Sequence, residues 1–504
     1  MAFETNKFNV VKKKRLGKTQ FNVECAIETN ADVAKVLSVK YDAKTDNIEV
    51  LNGEINVAGH IDFCVLFATP DGEIGTTNSA CPFVTKIENG AIKLADKANI
   101  NVEVVDYQIV DIADGIIRIL CVCEQTCILI ENEDVANVAI NDDNVCAKKD
   151  EIVVNQFVGT ATETFNVESQ ASIKEQIKRL IYADSDVALK NIECGNGFVA
   201  VAGEVVTKIL YLSANDRFET CYTTEPFKQE IAFENVGENA VCEAKAQIKK
   251  QEVRYEVVES DKGVQINFDM PVEVEVFVYG ETKQEIVKDL YSTTSELSVS
   301  TESFEMTKQL QTEFFETKID GTLMLDENKP RVDKIMFVGA SNLQITNAYV
   351  KDREVVVEGI AKTNVVYLND EENSLNSVLM EVPFVVSDKT QLDCDAQVQA
   401  TATLYDVDVV VKKGREFYFD AKLKVAISCD CDVVAAVIAR VDENEKYPEK
   451  DCAIELYCAS AHDTAWDIAK AMRTKENVIF EQNPELTFPL DKDENVVIYY
   501  QKKA

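Results

Sequence analysis

An eleven-residue run occurs three times in this chain and constrains the fold more than any other feature. It reads Val57-Ala-Gly59-His-Ile-Asp-Phe-Cys-Val-Leu66-Phe67, followed by Pro82-Phe83. It returns as Val201-Ala-Gly203 through Leu210-Tyr211 with Pro226-Phe227, and as Val357-Glu-Gly359 through Val366-Tyr367 with Pro383-Phe384. In each copy the aromatic stands eight residues after the glycine, and the proline stands 23, 23 and 24 residues after it. Spacing held over such a distance marks three copies of one structural unit. Phe21-Asn22-Val23-Glu24 and Phe165-Asn166-Val167-Glu168 are identical and 144 residues apart, as Gly59 and Gly203 are. The third copy has lost that signature and is the most diverged.

The period within each unit is two. In Val264-Gln-Ile266-Asn-Phe268-Asp-Met270 and again in Val272-Glu-Val274-Glu-Val276, apolar residues take every second place. Phe417-Tyr-Phe419-Asp-Ala421-Lys-Leu423 repeats the signal. A strand buries such a pattern on one face, and a helix cannot. The expected fold is therefore mainly β: three tandem antiparallel, sandwich-like units over 7–130, 153–280 and 303–440. Leu66, Leu210 and Val366, with Phe83, Phe227 and Phe384, are expected to be buried in equivalent places. The charged or Ser/Thr-rich segments near 131–152, 281–302 and 441–452 read as ordered connections, and Phe304–Phe315 reads as a short helix. A chain of 504 residues is too long for one core, which agrees with several units.

After residue 452 the pattern changes. Ile454-Glu-Leu456-Tyr457 reads as a strand, and Thr464 and Asp467 have capping-box spacing. Ala465, Ile468, Ala469 and Met472 then form one apolar helical stripe. A second short helix stops before Pro484, and Val496–Tyr500 closes the chain as a strand. The expectation is a small β-α-α-β module over 452–502.

Charge and chemistry narrow the function. Lys and Arg total 52 against 88 Asp and Glu, a net −36. Such a surface repels nucleic acid and anionic membranes, and suits solubility, a basic partner or divalent cations. The N-terminus lacks the apolar core of a secretory signal, so the fifteen cysteines read as reduced, half-buried side chains. Cys121, Cys123 and Cys127, and the pair Cys429 and Cys431, lack the paired spacing of a zinc site. His60 and His462 are the two histidines, and they fall in different units. No nucleophile–base pair, P-loop or dinucleotide motif is present, so the chain reads as non-enzymatic with no cofactor.

Two resemblances follow from these residues. The C-terminal segment resembles a LysM domain, through the first strand, Asp463-Thr464-x-Trp466-Asp467-Ile468-Ala469, Asn483-Pro484 and the last strand. The Gly that usually precedes Asp-Thr is His462 here, and the usual Leu before Trp is Ala465, so the family's sugar-binding loop is altered. The three repeats resemble SPOCS domains, the β-rich units of spore-coat proteins in endospore-forming bacteria, through the frame Val-x-Gly…Leu/Val-Phe/Tyr…Pro-Phe. SPOCS units followed by one LysM module are similar to a clostridial coat morphogenetic arrangement that links the coat to a coat-basement ATPase, stage IV sporulation protein A. The resemblance implies a structural adaptor in the mother-cell cytoplasm, at the forespore surface. A peptidoglycan- or N-acetylglucosamine-binding wall protein is the alternative, and self-assembly stays open. Trp466, with Lys470 and Arg473 on the same helical flank, the His462–Asp463–Thr464 loop and Asn483, is the expected docking surface, because an aromatic beside cations is the composition of an interface anchor.

Overall fold

The structure is a computed structural model that describes residues 3–500 apart from 235, 238, 262, 371–373, 391–395, 449 and 451. It is mainly β, in several antiparallel sheets, with two short helices. The first third holds β1 (Glu4–Glu28), β2 (Lys35–Leu51), β3 (Glu54–Ala68), β4 (Ile74–Glu88), β5 (Lys97–Ala113) and β6 (Ile116–Ala139). The second holds β7 (Val145–Ile173), β8 (Ile177–Cys194), β9 (Phe198–Ser213), β10 (Phe218–Ala232), β11 (Val241–Ile248), β12 (Arg254–Ser260) and β13 (Gly263–Ser292). The third holds β14 (Ser295–Gln309), β15 (Glu313–Met324), β16 (Val332–Lys351), β17 (Glu354–Asn369), β18 (Leu375–Lys389), β19 (Gln397–Lys412) and β20 (Glu416–Lys446). Then come β21 (Ile454–Ala459), α1 (Ala465–Ala471), α2 (Glu476–Gln482) and β22 (Glu494–Tyr499).

Each third pairs a three-stranded meander with a second set of strands. The meanders run β2-β3-β4, β8-β9-β10 and β16-β17-β18, with the repeated glycine on the middle strand. The facing sets are β1-β6-β5, then β7, β11 and β12 around β13, then β14, β15 and β19 around β20. Each core draws on both layers, as Val39, Val57 and Phe83 meet Cys25, Val104 and Ile119 in the first. The alternation seen in the sequence is the pleat of these half-buried sheets.

The glycines hold their places for a steric reason. Opposite each one, the register of the preceding strand slips by a residue, between Thr45 and Asn47, Leu189 and Asn191, and Ile345 and Asn347. A bulge of this kind bends the strand and increases its twist. On the other side Gly59, Gly203 and Gly359 pair with Phe83, Phe227 and Phe384. A Cβ on Gly203 would stand 2.5 Å from the Ala188 carbonyl oxygen and 2.6 Å from the Phe227 ring, and Gly359 is pinched alike by Gln344 and Phe384. Pro82, Pro226 and Pro383 lie mid-strand, but on strands bonded along one edge, where a missing N–H is tolerated.

Four expectations need correction. Phe304–Phe315 is not helical: Phe304 lies on β14 and Phe315 on β15, and both strands bond to β20, so the ladder with a long partner decides the local structure. The segments near 131–152 and 281–302 are mostly strand, since β6, β7, β13 and β14 run deep into them. Phe227 is only partly buried, whereas Phe83 and Phe384 are buried. The cysteines are not all free, because Cys194 and Cys242 form a disulfide between β8 and β11. Their Cα atoms lie 6.7 Å apart, where a meander closes on its facing strands.

The thirds share cores as well. Leu66, Leu210 and Val366, all fully buried, meet in one cluster with Leu37, Ile181 and Phe337. The repeated leucine position therefore joins the three meanders to each other. At the other end Phe8 and Val10, Val154 with Ile152, and Phe304 and Met306 form a second three-way cluster. Each such buried side chain contributes about 1.5–3 kcal/mol.

Candidate docking site

The C-terminal segment runs β21, α1, α2 and β22. Thr464 caps α1, its hydroxyl accepting from the Asp467 N–H at 3.2 Å while the Asp467 carboxylate accepts from the Thr464 N–H at 3.0 Å. These two bonds satisfy donors that a helix start leaves open, and the Thr464 hydroxyl, donating to the carboxylate at 2.6 Å, and then the Thr464 N–H hold the Asp467 carboxyl below its ordinary range. Ala465, Ile468, Ala469 and Met472 face inward onto Val496 and Ile498. β21 and β22 pair antiparallel, Ile454 opposite Tyr499 and Leu456 opposite Val497.

Trp466, Lys470 and Arg473 turn toward the rest of the chain. The Trp466 indole N–H donates to Asp289 of β13 at 2.8 Å, and its ring meets Tyr291 edge-on at 5.0 Å between centroids. The Lys470 ammonium reaches the other Asp289 oxygen at 2.6 Å. Burial alone would push the Asp289 carboxyl up, but Lys470 and Trp466 hold it below the usual carboxylate range. The Arg473 guanidinium lies 3.6 Å above the Tyr447 ring, and the Tyr291 hydroxyl donates to the Thr474 carbonyl at 2.8 Å. These contacts fasten the module to the β body.

The other expected site residues sit apart from that seam. His462, exposed and left-handed in its backbone, donates its N–H to the Leu490 carbonyl. Asp463 accepts from the Ser460 N–H at 2.8 Å and so closes the loop. Asn483 is buried, its amide bonded to Ile479 and Val497, and it ties α2 to β22. The structure thus brings Trp466, Lys470 and Arg473 to one seam and spreads His462, Asp463, Thr464 and Asn483 around it.

The sequence reading missed the outer face of the β21–β22 sheet. Ile454, Leu456 and Tyr499 are more than half exposed, Val497 is partly exposed between them, and Phe480 of α2 is 49% exposed. The Gln482 side chain bridges to the Tyr499 backbone in both directions, at 3.2 and 2.7 Å, and holds α2 against this strand. The signal was in the sequence. Ile454 and Leu456 alternate with Glu455 and Tyr457, and a two-stranded sheet on one helical layer leaves one face uncovered.

A cavity of about 1050 Å³ lies between the thirds. Lysines and carboxylates line it together, among them Lys245, Lys250, Asp186 and Glu275, so it offers no single-sign set for a ligand.

Residues 32–111 and 176–258 match the family model described as SipL, SPOCS domain. The likeness to the SPOCS domain covers these two stretches of the chain. Each SPOCS stretch takes in a whole meander, with Gly59 and Phe83 in the first and Gly203 and Phe227 in the second. The SPOCS matches end before the C-terminal module, so the docking geometry stands on its own. No curated protein and no solved structure matches the chain. Among the described residues no helix is long and apolar enough to cross a membrane.

Proposed function

We propose that the chain is a non-enzymatic structural adaptor in spore-coat assembly, acting in the mother cell at the forespore surface. The SPOCS family points to a sporulation-related role, and the C-terminal module, which resembles LysM, supplies the docking surface. The partner that fits the resemblance is a coat-basement ATPase of the stage IV sporulation protein A type.

The observation that carries the docking reading is the uncovered face of the β21–β22 sheet. Ile454, Leu456 and Tyr499 stand in line across two strands, with Phe480 at the margin. Exposed apolar side chains grouped on a small module mark an interaction site. The sequence-expected anchors serve that face indirectly. Trp466 and Lys470 hold the module on Asp289, so the face is presented from a fixed base.

The test is co-purification with the coat-basement ATPase. Leu456→Glu with Tyr499→Glu adds charge to exposed positions, spares the fold and should weaken binding about tenfold or more. Lys470→Glu with Arg473→Glu should loosen the seam and leave binding within about threefold of wild type. Wild-type affinity in the Leu456–Tyr499 variant, with loss in the Lys470–Arg473 variant, would move the docking surface back to the Trp466 flank.

A further inference from the structure

Four cysteines of the first third lie together. Cys25 of β1 is 1% exposed and shares one core with Cys121 of β6, and Cys81 of β4 packs against that core. Cys123 is buried in the same core. Cys81 alone of the four is partly exposed. Its thiol also donates to the carbonyl of Glu24, the residue before Cys25, at 3.8 Å.

Geometry sorts the pairs. Cys25 lies opposite Ile119, and Cys121 opposite Val23, so Cys25 and Cys121 are diagonal neighbours on bonded strands. Diagonal neighbours stand about 7–8 Å apart at Cα, past the usual reach of a disulfide. Cys81 approaches from the facing sheet. That is the relation of Cys194 to Cys242, a meander strand joined to the layer it packs on, where the disulfide exists.

We propose that Cys25 and Cys81 are an oxidative staple of the first unit, closed by exchange with a small-molecule disulfide such as oxidised glutathione. The Cys81 thiolate attacks one sulfur of the small disulfide, forms a mixed disulfide and expels one glutathione thiolate. Cys25 then attacks the Cys81 sulfur and expels the second, its proton passing to the departing glutathione sulfur. Two protein thiols are oxidised to one disulfide, and one oxidised glutathione becomes two reduced molecules. The order follows exposure, since Cys81 is reachable and Cys25 is not. The product joins β4 to β1 across the sandwich, as Cys194–Cys242 joins β8 to β11.

The test uses the full-length chain, exposed to oxidised glutathione at about pH 9. The alkaline condition is needed because burial, and then the Cys25 contact, push the Cys81 thiol up to about 12, so thiolate is scarce at neutral pH. Non-reducing tryptic digestion and tandem mass spectrometry then locate the link. The fragments must separate Cys81 from Cys64, which shares the peptide 45–86. The expected result is a link between Cys25 and Cys81. In Cys25→Ser, Cys81 should instead retain glutathione, and in Cys81→Ser, a change at a partly exposed position that keeps Cys194–Cys242, Cys25 should stay free. A Cys25–Cys121 link overturns the proposal. So does a wild-type chain in which Cys25 and Cys81 stay reduced while the exposed Cys452 and Cys458 take up glutathione.

Discussion

Gly59, Gly203 and Gly359 are each held between a carbonyl of one neighbouring strand and a phenylalanine ring of the other. An added methyl has nowhere to go, and the nearest atom is backbone. Gly203→Ala should cost about 1–3 kcal/mol, the range for overpacking, read as a lower urea midpoint by far-UV circular dichroism. The rings differ in burial, and so should their variants. Phe83→Ala and Phe384→Ala should each cost about 3–5 kcal/mol, and Phe227→Ala less, because Phe227 keeps part of its ring in solvent. Spacing made the three positions legible. It did not reveal the uneven burial, which depends on what each facing sheet lays over the ring. His60 occupies a position taken by Glu204 and Ile360 in the other units. The Asp62 carboxylate, 3.5 Å from one ring nitrogen, and then a hydrogen bond with Asp46 at 2.8 Å outweigh the effect of burial, raising the His60 pKa from 6.5 to about 9. A raised folded pKa adds stability below pH 6.5 that is lost as pH climbs through 9. Thermal midpoints should fall across that window, and His60→Gln should flatten the fall.

Among the elements, the period-two strands were the legible ones, because a half-buried sheet writes its pleat into the sequence. Their lengths were hidden. Glu131, Glu133 and Asp134 made the end of β6 look like a connection, yet Val135 and Val138 beside them are buried. The carboxylates are accommodated by cations of the paired strand, as Glu131 by Lys14 at 2.7 Å. The β14 segment was misread for a related reason. Thr307 and Gln309 are buried polar residues that bond to Asp432, Lys13 and Ser428, which obscures the strand period that Phe304 and Met306 begin. At the C-terminus the elements were legible, but their seam was not, since nothing near Trp466 in sequence announces Asp289. Asp289→Ala removes the shared acceptor of Trp466 and Lys470. The pair is partly exposed, so the loss should be about 1 kcal/mol. It should appear as faster amide exchange in α1 and a red shift of Trp466 emission, with the β body unchanged. Unaltered emission would mean that Tyr291 alone holds the indole.

Across the whole molecule, a chain with 36 surplus negative charges places lysines where its thirds meet. Lys44 donates to the Ile248 carbonyl, Lys245 to Ile100 at 2.8 Å, Lys208 to Gly339 at 2.6 Å and Lys362 to Val105 at 3.1 Å. Lys40 bridges to Asp186 at 3.2 Å and Lys424 to Glu204. Lys13 is the most enclosed of the paired cations among the described residues, its side chain 1% exposed. It bonds to Glu243 at 2.6 Å and to Gln309 at 2.5 Å, with Asp430 at 3.5 Å and the Tyr279 ring 4.4 Å away. One ammonium thus joins the first third to the second and the third. Burial pushes the Glu243 carboxyl up, but Lys13 and the Ser428 hydroxyl hold it below 4.5. The stability from that depression is present above the ordinary pKa and is lost as pH falls through the folded one. Lys13→Met keeps the apolar stem and leaves Glu243 buried without its cation, which should cost about 3–5 kcal/mol. Because the seams and the two three-way clusters bind the thirds together, the β body should unfold in one calorimetric transition, its enthalpy matching the van't Hoff value. Lys13→Met should lower that transition as a whole. Separate transitions for the three thirds, with one third left at its original midpoint in Lys13→Met, would show that the seams are weaker than the cores they join.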